Sequence, residues 1–129
     1  MSHTVITSAH APEAVGPYSQ AIRHNNVLYT SGMLPIDAEG QLQEGIIAQT
    51  EQIFTNLIHV LSEAGFTLED VVKTSVFMTN LEHFGQMNDI YGRFFDNHHP
   101  ARTTVQVAKL PRNAEIEIEL VAIKGQPIQ

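Results

Sequence analysis

Apolar positions along the chain follow two periods, and each predicts a different kind of element. From Ile46 to Ala64, the residues Ile46, Ile53, Leu57, Leu61 and Ala64 recur at three- and four-residue steps, which predicts a long amphipathic helix. Phe54, Ile58 and Val60 widen its stripe. Gly65 follows where a left-handed residue ends a helix. Thr67-Leu68-Glu69-Asp70 then has the spacing of a capping box on one short turn. A second helix is shorter. Thr79 or Asn80 caps it, and Phe84, Met87, Tyr91 and Phe94 or Phe95 form its apolar face. Gly85 and Gly92 each weaken it by about 1 kcal/mol relative to alanine, so packing has to hold it.

The other segments read as strands. Val5-Ile6 predicts a short one, ended by His10-Ala11-Pro12. Gln20 to Thr30 predicts a hairpin about Asn25-Asn26, and Gly16-Pro17-Tyr18-Ser19 before it is a turn that displays a tyrosine. The hairpin's second strand ends at Ser31-Gly32, where a glycine marks a bulge or a place where another group approaches the backbone. Val71 to Met78 is mostly apolar and predicts a central strand. Thr103 to Val107 is another. Glu115 to Ile123 alternates most clearly, with Ile116, Ile118, Leu120 and Ala122 on one side and Glu117, Glu119, Val121 and Ile123 on the other. A hairpin about Leu110–Arg112 would set Glu117 roughly beside Thr104 or Val105. Few helices and partly consecutive strands predict an α+β fold, a sheet with both helices packed on one face. The remaining face, half apolar and half acidic on the last strand, suits a subunit interface with a polar pocket in it. No repeat or linker divides residues 1–129, so one domain is expected.

Composition narrows the chemistry. The 129 residues include no cysteine, which removes disulfides, thiolate metal sites and a cysteine nucleophile. Fourteen acids against seven bases leave a net charge of −7, which argues against nucleic acid and anionic membranes as partners. No leader and no run long enough to span a membrane is read, so a cytoplasmic protein is expected. The seven histidines form no metal-ligand spacing, and no glycine-rich phosphate loop is present, so neither a metal nor a nucleotide cofactor is expected.

Two positions draw attention. Arg102, in Pro100-Ala101-Arg102-Thr103-Thr104, opens a strand among small residues. It reads either as a guanidinium fork for a carboxylate or phosphate, or as a solvated strand end. Glu117 and Glu119 read either as solvent-facing strand residues or as a carboxylate that handles a proton or a water. Tyr18 reads as an ordinary turn residue.

Several ordered segments give the chain a resemblance to the RidA/YjgF/YER057c family of reactive-intermediate deaminases. They are Gly16-Pro17-Tyr18-Ser19-Gln20-Ala21, Tyr29-Thr30-Ser31-Gly32-Met33-Leu34-Pro35, Val76 to Leu81, Asn88-Asp89-Ile90-Tyr91, Pro100 to Thr104 and Ile116-Glu117-Ile118-Glu119. The resemblance implies a chorismate-mutase-like mixed sheet and a homotrimer with clefts between subunits. It implies cofactor-independent hydrolysis of 2-imino and enamino acids, such as 2-aminoacrylate and 2-aminocrotonate, to 2-keto acids and ammonia. Carried over by position, Arg102 grips the substrate carboxylate and Glu117 orients or activates water. Backbone at Gly32 and Thr104 bonds the substrate, and Tyr18 and Ser31 line the cleft. The chain departs from the family pattern at Thr104, often cysteine, at Met33, usually glutamine, and at His99, often aromatic. The alternative is a non-catalytic module that binds a 2-keto acid in the same cleft and regulates a partner. Ribonuclease and translation-inhibition roles are also attached to the family.

Overall fold

The computed structural model describes residues 3–125. Strands β1 (His3–Ile6), β2 (Ala21–His24) and β3 (Val27–Thr30) precede helix α1 (Ile46–Ala64). Strand β4 (Val71–Met78), helix α2 (Phe84–Phe94), β5 (Ala101–Gln106) and β6 (Ile116–Ile123) follow. They build one mixed six-stranded sheet in the order β1-β2-β3-β6-β4-β5. Every pairing is antiparallel except β4 with β5.

Helix α1 spans the residues its periodicity predicts. Gly65 ends it at φ 86°, ψ 25°, and the Phe66 N–H closes back on the Leu61 carbonyl at 2.8 Å. Thr67 and Asp70 cap each other around a single 3-10 turn at Leu68–Asp70. Asn80 caps the turn that leads into α2 by accepting from the Glu82 N–H. Both helices cover one face of the sheet. There Ile53, Phe54 and Leu57 of α1 and Met87 of α2 meet Val76, Ile116, Ile118 and Leu120, all at most 2% exposed. Phe54 stacks on Phe94 with centroids 4.6 Å apart and meets Tyr91 and Phe95 edge-on. That packing is what holds the glycine-weakened α2. Ile58, expected in the buried stripe, is instead 38% exposed at its margin.

One expectation fails. β5 and β6 do not form a hairpin, because β4 lies between them. α2 carries the chain from β4 to β5, so those two strands run parallel, and β6 then returns antiparallel on the other side of β4. Composition explains the outcome. β6 has a fully apolar inward face and takes an interior place, whereas β5, Ala-Arg-Thr-Thr-Val-Gln, is polar enough for an edge.

The buried side of α1 also carries amides that anchor loops. Asn56, fully buried, donates to the carbonyls of Leu34 and Ile36 at 3.2 and 2.8 Å. Gln49 donates to the Gln43 carbonyl at 2.9 Å and accepts from the Glu115 N–H at 2.8 Å. Asn56→Ala leaves two carbonyls without their donor, and we expect it to lower stability by roughly 1–3 kcal/mol in urea titration. An unchanged midpoint would show that water replaces the amide at no cost.

Candidate functional site

A cavity of about 580 Å³ opens at the end of the sheet where β3 runs out. Three of its walls are set by short polar contacts. Ser31 donates to the Ser19 carbonyl at 2.6 Å and holds the turn that carries Tyr18. The buried Gln20 amide accepts from the Ser8 N–H at 2.7 Å and donates to the carbonyls of Ser8 and Pro12, fixing the Pro12 wall. Asn56 fixes the wall at Leu34 and Ile36 through the bonds described above.

Beyond Thr30 the sheet pairing slips. Tyr29 pairs with Val121 but Met33 bridges Ile118, so β3 gains one residue over β6. The slip brings Gly32 beneath the Glu117 side chain. A Cβ at position 32 would lie 2.2 Å from Glu117 Oε2 and 2.7 Å from its carboxyl carbon. Both meanings of a strand-end glycine therefore hold, a bulge and a close approach. Glu117 lines the cavity with Tyr18, Ser31 and Gly32. Burial raises its pKa above the ordinary carboxylate value, and repulsion from Glu119 raises it further.

Arg102 lies elsewhere. Across the sheet it is in register with Thr74 and Leu120, both buried beneath the helices. Glu117 is in register with Phe77 and Val105, on the open face. Three residues and two strands separate the positions, roughly 14 Å at about 3.3 Å per residue and 4.8 Å per strand. The sheet itself stands between their side chains. One chain therefore cannot bring Arg102 and Glu117 to the same small molecule.

The Arg102 guanidinium donates to Asn88 Oδ1 at 2.7 Å and lies over the Tyr91 ring at 4.6 Å. Thr104 shares its side of β5, and its hydroxyl is buried with no partner among the described residues. The Val107 N–H donates to the Met78 carbonyl. Since backbone groups alternate along a strand, those of Arg102 and Thr104 turn outward, to the unpaired edge of the sheet.

Of the six residues that the resemblance assigns to one cleft, the structure brings Tyr18, Ser31, Gly32 and Glu117 to the cavity and leaves Arg102 and Thr104 outside it. It does not foresee the wall-setting amides of Gln20 and Asn56, whose only signal is polar residues on otherwise buried stretches. Nor does it foresee Arg112, which lines the cavity in a left-handed conformation, φ 61°, and donates to the Gly40 carbonyl at 3.1 Å. Among the described residues no group of three or more metal-binding side chains assembles, and no helix is long and apolar enough to cross a membrane.

A family model described as endoribonuclease L-PSP matches residues 8–124, and the chain belongs to that family, the YjgF/RidA family. The RutC family protein in the leuC 5' region of Leuconostoc mesenteroides subsp. cremoris is 45% identical over 130 residues, covering 96% of this chain and 100% of that one. The 2-iminobutanoate/2-iminopropanoate deaminase of Capra hircus is 40% identical over 123 residues, 94% of this chain and 90% of that one. The crystal structure of E. coli TdcF with bound serine superposes with a TM-score of 0.91 at 33% identity, covering 95% and 99% of the two chains.

Two predictions follow from Glu117. Its pKa is higher folded than unfolded, so the folded state binds the proton more tightly, and stability falls as pH rises through the folded value. Glu117→Gln should therefore raise the melting temperature at pH 7 and change it little at pH 4; equal shifts at both would mean that charge is not the cause. Gly32→Ala must move the Glu117 carboxylate, because the new methyl group occupies its place. We expect a crystal structure of that variant to show the side chain rotated out of the cavity.

Proposed function

We propose that the protein is a homotrimeric, cofactor-independent deaminase of small 2-imino acids, with each site formed between two subunits. One observation carries this reading: Glu117 and Gly32 line the cavity, while the guanidinium suited to a carboxylate lies across the sheet at its open edge. A second chain whose β5 edge meets this cavity supplies Arg102 and the outward backbone of Thr104. The open face supports such assembly. It carries Tyr29, Val105 and Ile123, each 39–54% exposed, next to half-buried Phe77 and Val121, more apolar surface than a solvated sheet face ordinarily keeps.

The chemistry fits these groups. Arg102 holds the substrate carboxylate, and the charge-assisted fork offsets the repulsion of a net-acidic protein. Glu117 accepts a proton as water adds to the imine carbon and returns one to nitrogen. The carbon–nitrogen bond then breaks, giving a 2-keto acid and ammonia. A carboxyl with a raised pKa holds and releases a proton closer to neutrality, as this shuttle needs. The deaminase name of the Capra hircus relative and the serine bound to E. coli TdcF, itself a small amino acid with one carboxylate, support the same substrate class.

Two other readings have a feature in their favour. The endoribonuclease description of the family favours RNA, but a net charge of −7 and an anchor arginine at a sheet edge make a poor phosphate-backbone track. Threonine at 104, where cysteine is frequent, favours a 2-keto-acid sensor without turnover.

The decisive assay generates 2-aminoacrylate from serine with a pyridoxal-phosphate dehydratase and follows its decay. We expect acceleration at micromolar protein. Calorimetric binding of 2-ketobutyrate without acceleration would leave the sensor, and binding of neither would end both readings. Arg102→Ala should keep the trimer in light scattering and lower kcat/KM about 30-fold or more, the loss of a charge-assisted pair worth roughly 2–5 kcal/mol.

A further inference from the structure

We propose that Asn88 is a positioning residue that decides which edge of the Arg102 guanidinium meets the substrate. The inference rests on the reading of Arg102 as the carboxylate anchor.

Arg102 faces α2, and three residues of that helix meet it. Phe84, Asn88 and Tyr91 stand four and three residues apart, so they form one stripe along the helix surface. The guanidinium carbon is 4.6 Å from the Tyr91 ring centroid and 5.4 Å from that of Phe84, both within the reach of a cation–π contact. Asn88 Oδ1 accepts from Arg102 Nη1 at 2.7 Å. The Tyr91 ring is itself fixed, since it is 7% exposed and its hydroxyl is 2.7 Å from that of Thr74 on β4. The guanidinium is therefore seated against a buried ring and tethered by one amide oxygen.

A guanidinium offers a carboxylate two bidentate edges, the terminal Nη1–Nη2 edge and the lateral Nη2–Nε edge. Asn88 engages Nη1. Nη2 and Nε have no partner among the described residues, so the lateral edge keeps every donor free, while the terminal edge shares Nη1 with Asn88. The choice of residue type is part of the inference. The amide oxygen orients the cation without neutralising it, whereas an aspartate would make the same bond and cancel the charge that has to attract an anion. This matters in a chain with only seven lysines and arginines against fourteen acids.

The contrast between alanine and aspartate at 88 tests the idea. A residue that only braces α2 against β5 is rescued by aspartate, because the hydrogen bond survives and becomes an ion pair. A residue that orients a free cation is made worse by it. We expect Asn88→Ala to raise KM for 2-aminoacrylate about 10-fold with kcat within about threefold, the pattern of a lost binding contribution. Asn88→Asp should weaken 2-ketobutyrate binding in calorimetry further still, with a melting temperature at or above that of the parent protein. Aspartate binding 2-ketobutyrate as tightly as asparagine overturns the proposal, and so does a matching loss of binding and of melting temperature in the alanine variant that aspartate restores. Arg102→Ala is the control. If it abolishes binding while both Asn88 variants bind normally, positioning by Asn88 is refuted and the anchor stands. If Arg102→Ala binds normally, the anchor reading itself has failed.

Discussion

A β-sheet is impermeable to the chemistry of small molecules, and this constraint governs the site. Side chains alternate between its faces, so the identity of a face is fixed by register alone. Here register sends Arg102 towards the helices and Glu117 towards the open side. No rotamer change crosses that boundary, and a one-residue slip would turn the apolar half of β6 out to solvent. The two groups best suited to a 2-imino acid can act together only if a second copy of the chain brings its edge strand to the first. On this reading assembly and activity are one requirement, which explains why the open face is neither a solvated surface nor a closed core.

The same constraint makes sense of the loops. A cavity at the end of a sheet needs walls that do not collapse, and apolar packing alone cannot fix irregular backbone whose carbonyls need donors. The protein places amides under those walls. Gln20 holds Ser8 and Pro12 and Asn56 holds Leu34 and Ile36, while Gln49 does the same for backbone outside the cavity, at Gln43 and Glu115. Each is a side chain with both donor and acceptor capacity, buried where an aliphatic residue would pack but leave backbone groups unpaired. The α1 stripe thus has two functions, a hydrophobic contact with the sheet and amide support for loops, with Asn56 beneath the cavity wall.

These supports mark the boundary of what the sequence discloses. The limits of α1 are legible because one periodicity and one terminal glycine agree, and both are local. Gly32 is legible as a special position because glycine at a strand end has few other uses. The strand order is not legible there. Pro111-Arg112-Asn113 has turn character and lies between two β-rich segments, which reads as a hairpin, yet insertion of β4 depends on contacts remote in sequence. The buried amides escape for a related reason, since an amphipathic pattern counts apolar residues and treats glutamine and asparagine as solvent-facing. The family resemblance supplies roles for Arg102 and Glu117 but no faces. Only the register shows that the two are on opposite sides.

Glu117 illustrates how such a site is maintained at some cost to the fold. Its carboxylate lies against the Gly32 backbone, partly withdrawn from water and next to the like charge of Glu119. Both influences disfavour the ionised form, and burial is the larger. A protein selected only for stability would place an amide or an apolar residue there. The glycine is the complementary concession, since any side chain at 32 would expel the carboxylate towards solvent and return its pKa towards the ordinary value. Glycine and glutamate therefore form one device, in which the absence of a Cβ on one strand permits burial of an acid on the next. Burial in turn raises the carboxyl's proton affinity, the property on which the proposed proton shuttle relies.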